Sequence, residues 1–135
     1  MNPSLIAIAA VVVALSGCAE LSGGRQLSRS PEIPAAEGVV KFKTIAGDDT
    51  AIDLRVTHLA EPDQLSRPGY TYVAWVRETE ENLPQNVGAL NLGRDRKGVL
   101  KAVTPLHRFA FFVTAEATSD AEQPTGEPLL WASRD

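Results

Sequence analysis

Short runs of alternating apolar and polar residues dominate the chain from Val39 onward. The clearest run is AIDLRVTHL, residues 51–59, in which Ile52, Leu54 and Val56 alternate with polar residues. A period of two places one set of side chains on each face of a β-strand, so this run predicts a strand with one buried face. No convincing helical pattern interrupts these runs.

Seven runs rich in β-forming residues are separated by segments rich in Gly, Pro, Asp and Asn, which are typical of turns. Tyr70–Glu78 is apolar or aromatic on both faces, which predicts a central strand. The predicted strands are Val39–Ile45, Ala51–Leu59, Tyr70–Glu78, Asn86–Gly93, Val99–Pro105, Arg108–Thr118 and Leu129–Ser133. Seven short strands in about 97 residues are typical of an all-β fold, an antiparallel, immunoglobulin-like β-sandwich. A small open barrel is the alternative architecture.

The N-terminal residues show a different pattern. Residues 5–15, LIAIAAVVVAL, form a continuous apolar run, and no charged side chain precedes Glu20. The run is too short to cross a bilayer, because a spanning helix needs about 20 residues. It matches the apolar region of a secretory signal peptide, which we expect over residues 1–17. A buried N-terminal helix is the alternative, but such a helix would need burial on every side.

The apolar run ends in Leu15-Ser16-Gly17-Cys18, which contains the only cysteine of the chain. This tetrapeptide resembles the lipobox of bacterial lipoproteins. The resemblance implies cleavage before Cys18, a diacylglyceryl thioether on its sulfur, and acylation of the new amino group by a fatty acid such as palmitate. It implies a lipid-anchored protein of the cell envelope. Ala19, in place of Asp, favours the periplasmic face of the outer membrane if the organism is Gram-negative.

Residues 18–38 are rich in small, polar and proline residues without a period. We expect them to form the lipidated N-terminus and a flexible tether, followed by the sandwich domain over residues 39–135. A lipidated Cys18 leaves that domain without a thiol or a disulfide, so its hydrophobic core alone must hold it.

The charge of the chain argues against one class of partner. There are 13 Lys and Arg against 17 Asp and Glu, which gives a net charge of −4. Nucleic-acid binding depends on cationic contacts to phosphate, so we expect no nucleic-acid partner.

The residues with reactive side chains form no recognisable catalytic, metal or cofactor motif. His58 and His107 are far apart in the sequence, whereas zinc sites take three or four ligands at short spacings. There is no G-x-S-x-G elbow, and no Lys-Ser/Thr follows the charged turn Gly93–Gly98. The glutamates within residues 78–81 lack the spacing of a calcium loop. We therefore expect no enzyme activity and no cofactor.

Aromatic residues offer one hint of a binding surface. Tyr70, Tyr72, Trp75 and Trp131 could line a glycan-binding surface or fill the core of the sandwich. Tyr72 and Trp75 are three residues apart, so a strand directs them to opposite faces. We expect one of these two to be an exposed aromatic contact.

A second resemblance covers residues 69–128. The matching pieces, in order, are GYTYVAWV at 69–76, Pro84 with NVGAL at 86–90, RKG at 96–98, FVTAEA at 112–117 and PTGEP at 124–128. Together they resemble the C-terminal extracytoplasmic domain of anti-sigma-K-type factors. The resemblance implies a β-sandwich outside the cytoplasm. It does not imply sigma-factor inhibition, because the family's sigma-binding segment and transmembrane helix have no counterpart in this sequence.

These expectations favour a non-enzymatic envelope lipoprotein that serves as a binding or accessory module. Its expected partners are the membrane, through the lipid anchor, and another envelope protein. A signalling or sensor protein related to anti-sigma regulators is the first alternative. An enzyme with an unrecognised site is the second.

Overall fold

Two five-stranded antiparallel sheets make up the computed structural model of the protein, which describes residues 23–65 and 70–135. The strands are β1 (Arg25–Gln26), β2 (Ser28–Arg29), β3 (Glu37–Thr44), β4 (Thr50–Thr57), β5 (Thr71–Arg77), β6 (Gln85–Ala89), β7 (Asn91–Leu92), β8 (Gly98–Thr104), β9 (Phe109–Glu116) and β10 (Leu130–Arg134). Single 3-10 turns lie at Ala46–Asp48 and Pro62–Gln64.

Sheet A has the strand order β1-β3-β4-β8-β7, and sheet B has the order β2-β10-β9-β5-β6. The predicted all-β sandwich is confirmed. Each predicted run contains an observed strand. In the strands with one buried face, alternation is the reason for this agreement. On β4, for example, Ile52, Leu54 and Val56 point into the core at 1% exposure or less, while Arg55 between them is exposed.

The core lies between the sheets and takes side chains from both. Its largest fully buried members are Tyr72, Phe111, Ile52, Leu54, Leu59 and Leu130. Phe42 packs edge-on against Phe109 and Phe111, with ring centroids 5.1 and 5.8 Å away. These contacts bury apolar surface, which is the main favourable contribution to folding.

The run predicted as one strand over Asn86–Gly93 is divided in the structure. It changes sheets at the buried Leu90, so β6 belongs to sheet B and β7 to sheet A. At the other side of the sandwich, the chain passes in the same way from β1 in sheet A to β2 in sheet B at Leu27. Both sides are thus bridged by a continuous segment, which limits the free strand edges available for pairing with other chains.

The expectation of a flexible tether over residues 18–38 is wrong for the later part of that range. Leu27, Ile33 and Ala36 are buried at 5%, 2% and 0% exposure. Leu27 packs so closely on Gly38 that a Cβ there would lie 2.6 Å from Leu27 Cδ1. These apolar residues are spaced irregularly and are buried one at a time, so they show no period. The domain therefore begins before Val39.

Candidate functional site

Tyr72 and Trp75, the two aromatic residues predicted as a contact site, project to opposite sides of sheet B. Tyr72 lies in the core between the sheets, and Trp75 lies on the outer face with Val73 and Phe112. The expectation that one of them is exposed is wrong, since their exposures are 1% and 0%. The outer face is buried because another part of the chain covers Trp75.

Tyr72 has a structural role at its polar end. Its hydroxyl donates a hydrogen bond to the carbonyl of Ala60 at 2.6 Å. Burial raises the pKa of Tyr72 well above its usual range, and the nearby carboxylates of Glu61 and Glu32 raise it further. The phenol therefore stays protonated and keeps its hydrogen bond.

The segment that covers Trp75 is the connection between β9 and β10, residues 117–129, which we call the cover loop. Ala121 of this loop packs against the cluster of Val73, Trp75 and Phe112. Asn86 of β6 holds the loop in place, because its Nδ2 donates to the carbonyls of Ser119 and Ala121, each at 3.0 Å. The loop thus gives sheet B a second, smaller apolar core.

A buried carboxylate, Glu116 at the end of β9, fixes the other part of the cover loop. Trp75 Nε1 donates to Thr114 Oγ1 at 2.9 Å, and the Thr114 hydroxyl donates in turn to Glu116. Thr125 of the cover loop donates to the same carboxylate from its hydroxyl at 2.6 Å and from its backbone N–H. Glu116 is only 2% exposed.

The protonation state of Glu116 follows from two opposing effects. Burial by itself raises the pKa of this carboxyl, but hydrogen bonds from Thr114, Thr125 and the Gly126 backbone outweigh it and hold the pKa below the ordinary value. Glu116 is therefore ionised at neutral pH, and hydrogen bonds occupy its oxygens. Since a general acid needs a carboxyl that is protonated at working pH, this geometry suits a structural anchor.

Glu116 belongs to none of the motifs identified in the sequence, although two signals bear on it. Thr114 and Glu116 are two residues apart on one strand and so share a face. Both lie in FVTAEA, and Thr125 lies in PTGEP, which are two of the pieces that carry the second resemblance. The structure brings these two pieces into contact.

Beside the cover loop, the outer face of sheet B forms an open groove of about 900 Å³. A cross-strand row of aromatic residues runs into it, because Trp131 pairs with Phe112 and Phe112 pairs with Trp75. Exposure along this row falls from 40% at Trp131 to 7% at Phe112 and 0% at Trp75. Trp131 is thus the accessible end of an aromatic row whose other end is buried.

Two arginines line the same groove. The guanidinium of Arg77 lies over the ring of Phe112, 5.8 Å from its centroid. Arg25 donates from Nη1 to the carbonyl of Ser133. Glu127 is the acidic residue lining the groove. An apolar floor with two guanidinium groups suits a ligand that combines apolar surface with carboxylates.

The histidines, the acidic cluster and the charged turn singled out in the sequence do not form a common site. His58 and His107 are both exposed, and no group of three or more His, Cys, Asp or Glu within residues 23–65 and 70–135 is placed to hold a metal ion. The glutamates within residues 78–81 lie at an exposed turn, and Gly93–Gly98 forms the turn between β7 and β8.

Cys18 and the predicted signal peptide lie outside the described residues. In the part of the chain that the structure does describe, no helix is long and apolar enough to cross a membrane. Comparison with known proteins found no matching family model, no matching curated protein and no matching solved structure.

Proposed function

We propose that this protein is a non-enzymatic lipoprotein of the cell envelope, anchored through acyl chains on Cys18, whose sandwich binds an acidic segment of another envelope protein in the groove of sheet B. The observation that carries the binding role is the exposed end of the aromatic row at Trp131, set beside Arg25 and Arg77. Trp and Arg are the residues that most often dominate the energy of protein interfaces.

The sequence supports the anchor, and substitution of the cysteine tests it. A Cys18→Ser variant is expected to incorporate no radiolabelled palmitate and to leave the membrane fraction, whereas the wild-type chain incorporates the label and sediments with membranes. Because Cys18 is the only cysteine, no other thiol supplies a label. Unchanged labelling and fractionation in the variant would overturn the anchor.

The binding role is tested by a photo-crosslinking residue placed at Trp131 in intact cells. Tyr70 gives a matched control, because it is 83% exposed and lies outside the residues that line the groove. We expect position 131 to capture an envelope protein that position 70 does not. The affinity of that protein for the purified chain is then expected to fall at least about tenfold on Trp131→Ala or Arg77→Gln. Equal capture at both positions, or capture of glycan alone, contradicts the proposal.

A regulatory protein related to anti-sigma factors is the second candidate. What supports it is that FVTAEA and PTGEP, two pieces of the second resemblance, meet at Glu116. These contacts hold the cover loop in place, so a role in folding is enough to explain why both pieces resemble the anti-sigma domain. Purification of the lipidated chain from membranes tests this candidate. Recovery of a membrane-bound regulator supports it, and its absence favours the first proposal.

A further inference from the structure

The outer face of sheet A carries most of its charge as cations. Lys41 and Lys43 on β3, Arg55 on β4 and Lys101 on β8 point outward, because their inward neighbours fill the core. Val99 and Val103 lie on the same face and are 41% and 55% exposed. We call this surface the basic face.

The charges on this face are arranged in cross-strand rows. Asp53 lies between Lys41 and Lys101, and its Oδ1 is 3.8 Å from Arg55 Nε. Asp53 and Glu37, at the start of β3, are the acidic residues on the outward positions of β3, β4 and β8. This face therefore carries four cationic and two acidic residues, although the net charge of the whole chain is −4. The positive charge is concentrated where an anionic surface could meet it.

The described chain begins against this face. Gly23 lies beside Lys41, since a Cβ on Gly23 would be 3.7 Å from Lys41 Cε. Cys18 is five residues earlier in the sequence. Five residues span at most about 18 Å even when fully extended. Acyl chains on Cys18 would therefore hold this end of the basic face close to the bilayer surface.

We propose that the basic face is the membrane-facing side of the protein, and that its lysines and Arg55 bind the phosphates of anionic phospholipids. This inference rests on the proposed anchor at Cys18. A lipid chain together with a patch of basic residues is a recognised route to stable membrane attachment, and each Lys or Arg near an anionic surface contributes about 1 kcal/mol. Asp53 offsets the repulsion among the cations around it.

This orientation also bears on the groove of sheet B. The outer faces of two packed sheets point in opposite directions. When the basic face lies on the bilayer, Trp131 and Arg77 face away from it, and a partner protein can reach them. The two surfaces then have separate tasks, one toward lipid and one toward protein.

Amine labelling of the full lipidated chain in vesicles tests the proposal. The chain has four lysines, three on the basic face and one, Lys97, in the turn before β8. We expect Lys41, Lys43 and Lys101 to react about fivefold more slowly in vesicles of phosphatidylcholine with one-third phosphatidylglycerol than in vesicles of pure phosphatidylcholine. This factor corresponds to about 1 kcal/mol per lysine. High salt should remove the difference. A Ser28→Lys variant adds a control amine on the outer face of sheet B, because Ser28 is exposed and pairs with the outward Trp131, and its labelling is expected to be the same in both vesicles.

The outcomes separate this proposal from the anchor. If Cys18 carries acyl chains but the three lysines react equally in both vesicles, or no more slowly than the amine at position 28, the basic face is not the membrane-facing side. If Cys18 carries none, the anchor fails. In that case the same labelling is done with the unanchored chain mixed with vesicles. Slower labelling of the three lysines only when phosphatidylglycerol is present supports lipid binding by the basic face, and any other result overturns it.

Discussion

The outer faces of the two sheets differ although the strands beneath them pair in the same way. On sheet A, the outward positions of β3, β4 and β8 carry small apolar residues and charged residues, of which four are Lys or Arg and two are Asp or Glu, and most of them are accessible to solvent. On sheet B, the outward positions of β5 and β9 carry Val73, Trp75 and Phe112, which are buried. The difference shows that a central strand that is apolar on both faces requires a second cover, and here the cover loop supplies it.

Each outer face also holds one buried or partly buried carboxylate, and the two differ in their hydrogen bonding. Glu116 on sheet B accepts hydrogen bonds from Thr114, Thr125 and Gly126 and ties the cover loop to β9. Asp53 on sheet A has a buried Oδ1 without a hydrogen-bond partner, and its nearest cation is Arg55. Stability should therefore depend strongly on sheet B's outer face and weakly on that of sheet A.

Removal of Trp75 is expected to have the largest effect. Trp75→Ala deletes a side chain at 0% exposure, leaves a cavity under the cover loop and breaks the hydrogen bond to Thr114. Such a change costs about 3–5 kcal/mol of unfolding free energy. Urea denaturation measures it, with Val103→Ala on the basic face as control, expected within about 0.5 kcal/mol of wild type. Similar losses in both variants would show that the faces do not differ in this respect.

Glu116→Gln is expected to have the next largest effect. Glutamine keeps the shape of the side chain, but its amide group brings N–H donors toward Thr114 and Thr125, which already donate to this position. We expect a loss of about 1–3 kcal/mol at neutral pH by urea denaturation, the cost of mismatched buried hydrogen bonds. The loop should also loosen, seen as faster amide exchange at Thr125. Unchanged exchange at that amide would argue against its anchoring by Glu116.

The contribution of Glu116 should depend on pH in one direction. Its pKa is lower in the folded protein than the ordinary value of 4.5. The folded state therefore favours the ionised form, and this stabilisation is complete above the unfolded pKa and is lost as pH falls through the folded pKa. The difference in unfolding free energy between wild type and Glu116→Gln should shrink over that range. A difference that is the same at neutral and at strongly acidic pH contradicts this assignment.

Much of the sandwich could be predicted because alternation reports which side of a strand is buried, as on β4. Positions where the chain changes sheets could not. Leu27 is a single buried residue in a mostly polar segment, and Leu90 shares its alternation with Gly88 and Leu92, a pattern that predicts one continuous strand. For a related reason, the local pattern does not predict the burial of Trp75. Alternation along a strand assigns each side chain to one face of the sheet. Whether a distant loop covers that face depends on contacts such as that of Asn86 with Ser119, which no local sequence pattern shows.

Asp53→Asn is expected to have the smallest effect, although it also replaces a partly buried carboxylate. Asp53 gains from its cationic neighbours Lys41, Lys101 and Arg55, but a separation of 3.8 Å from Arg55 Nε is too long for a hydrogen bond. Partly exposed ion pairs contribute about 0.2–1 kcal/mol, and the desolvation of an unpartnered oxygen offsets part of that. Urea denaturation should show a change below about 1 kcal/mol, smaller still in high salt. A loss as large as that of Glu116→Gln would mean that Asp53 holds sheet A together, and the contrast between the two carboxylates would fail.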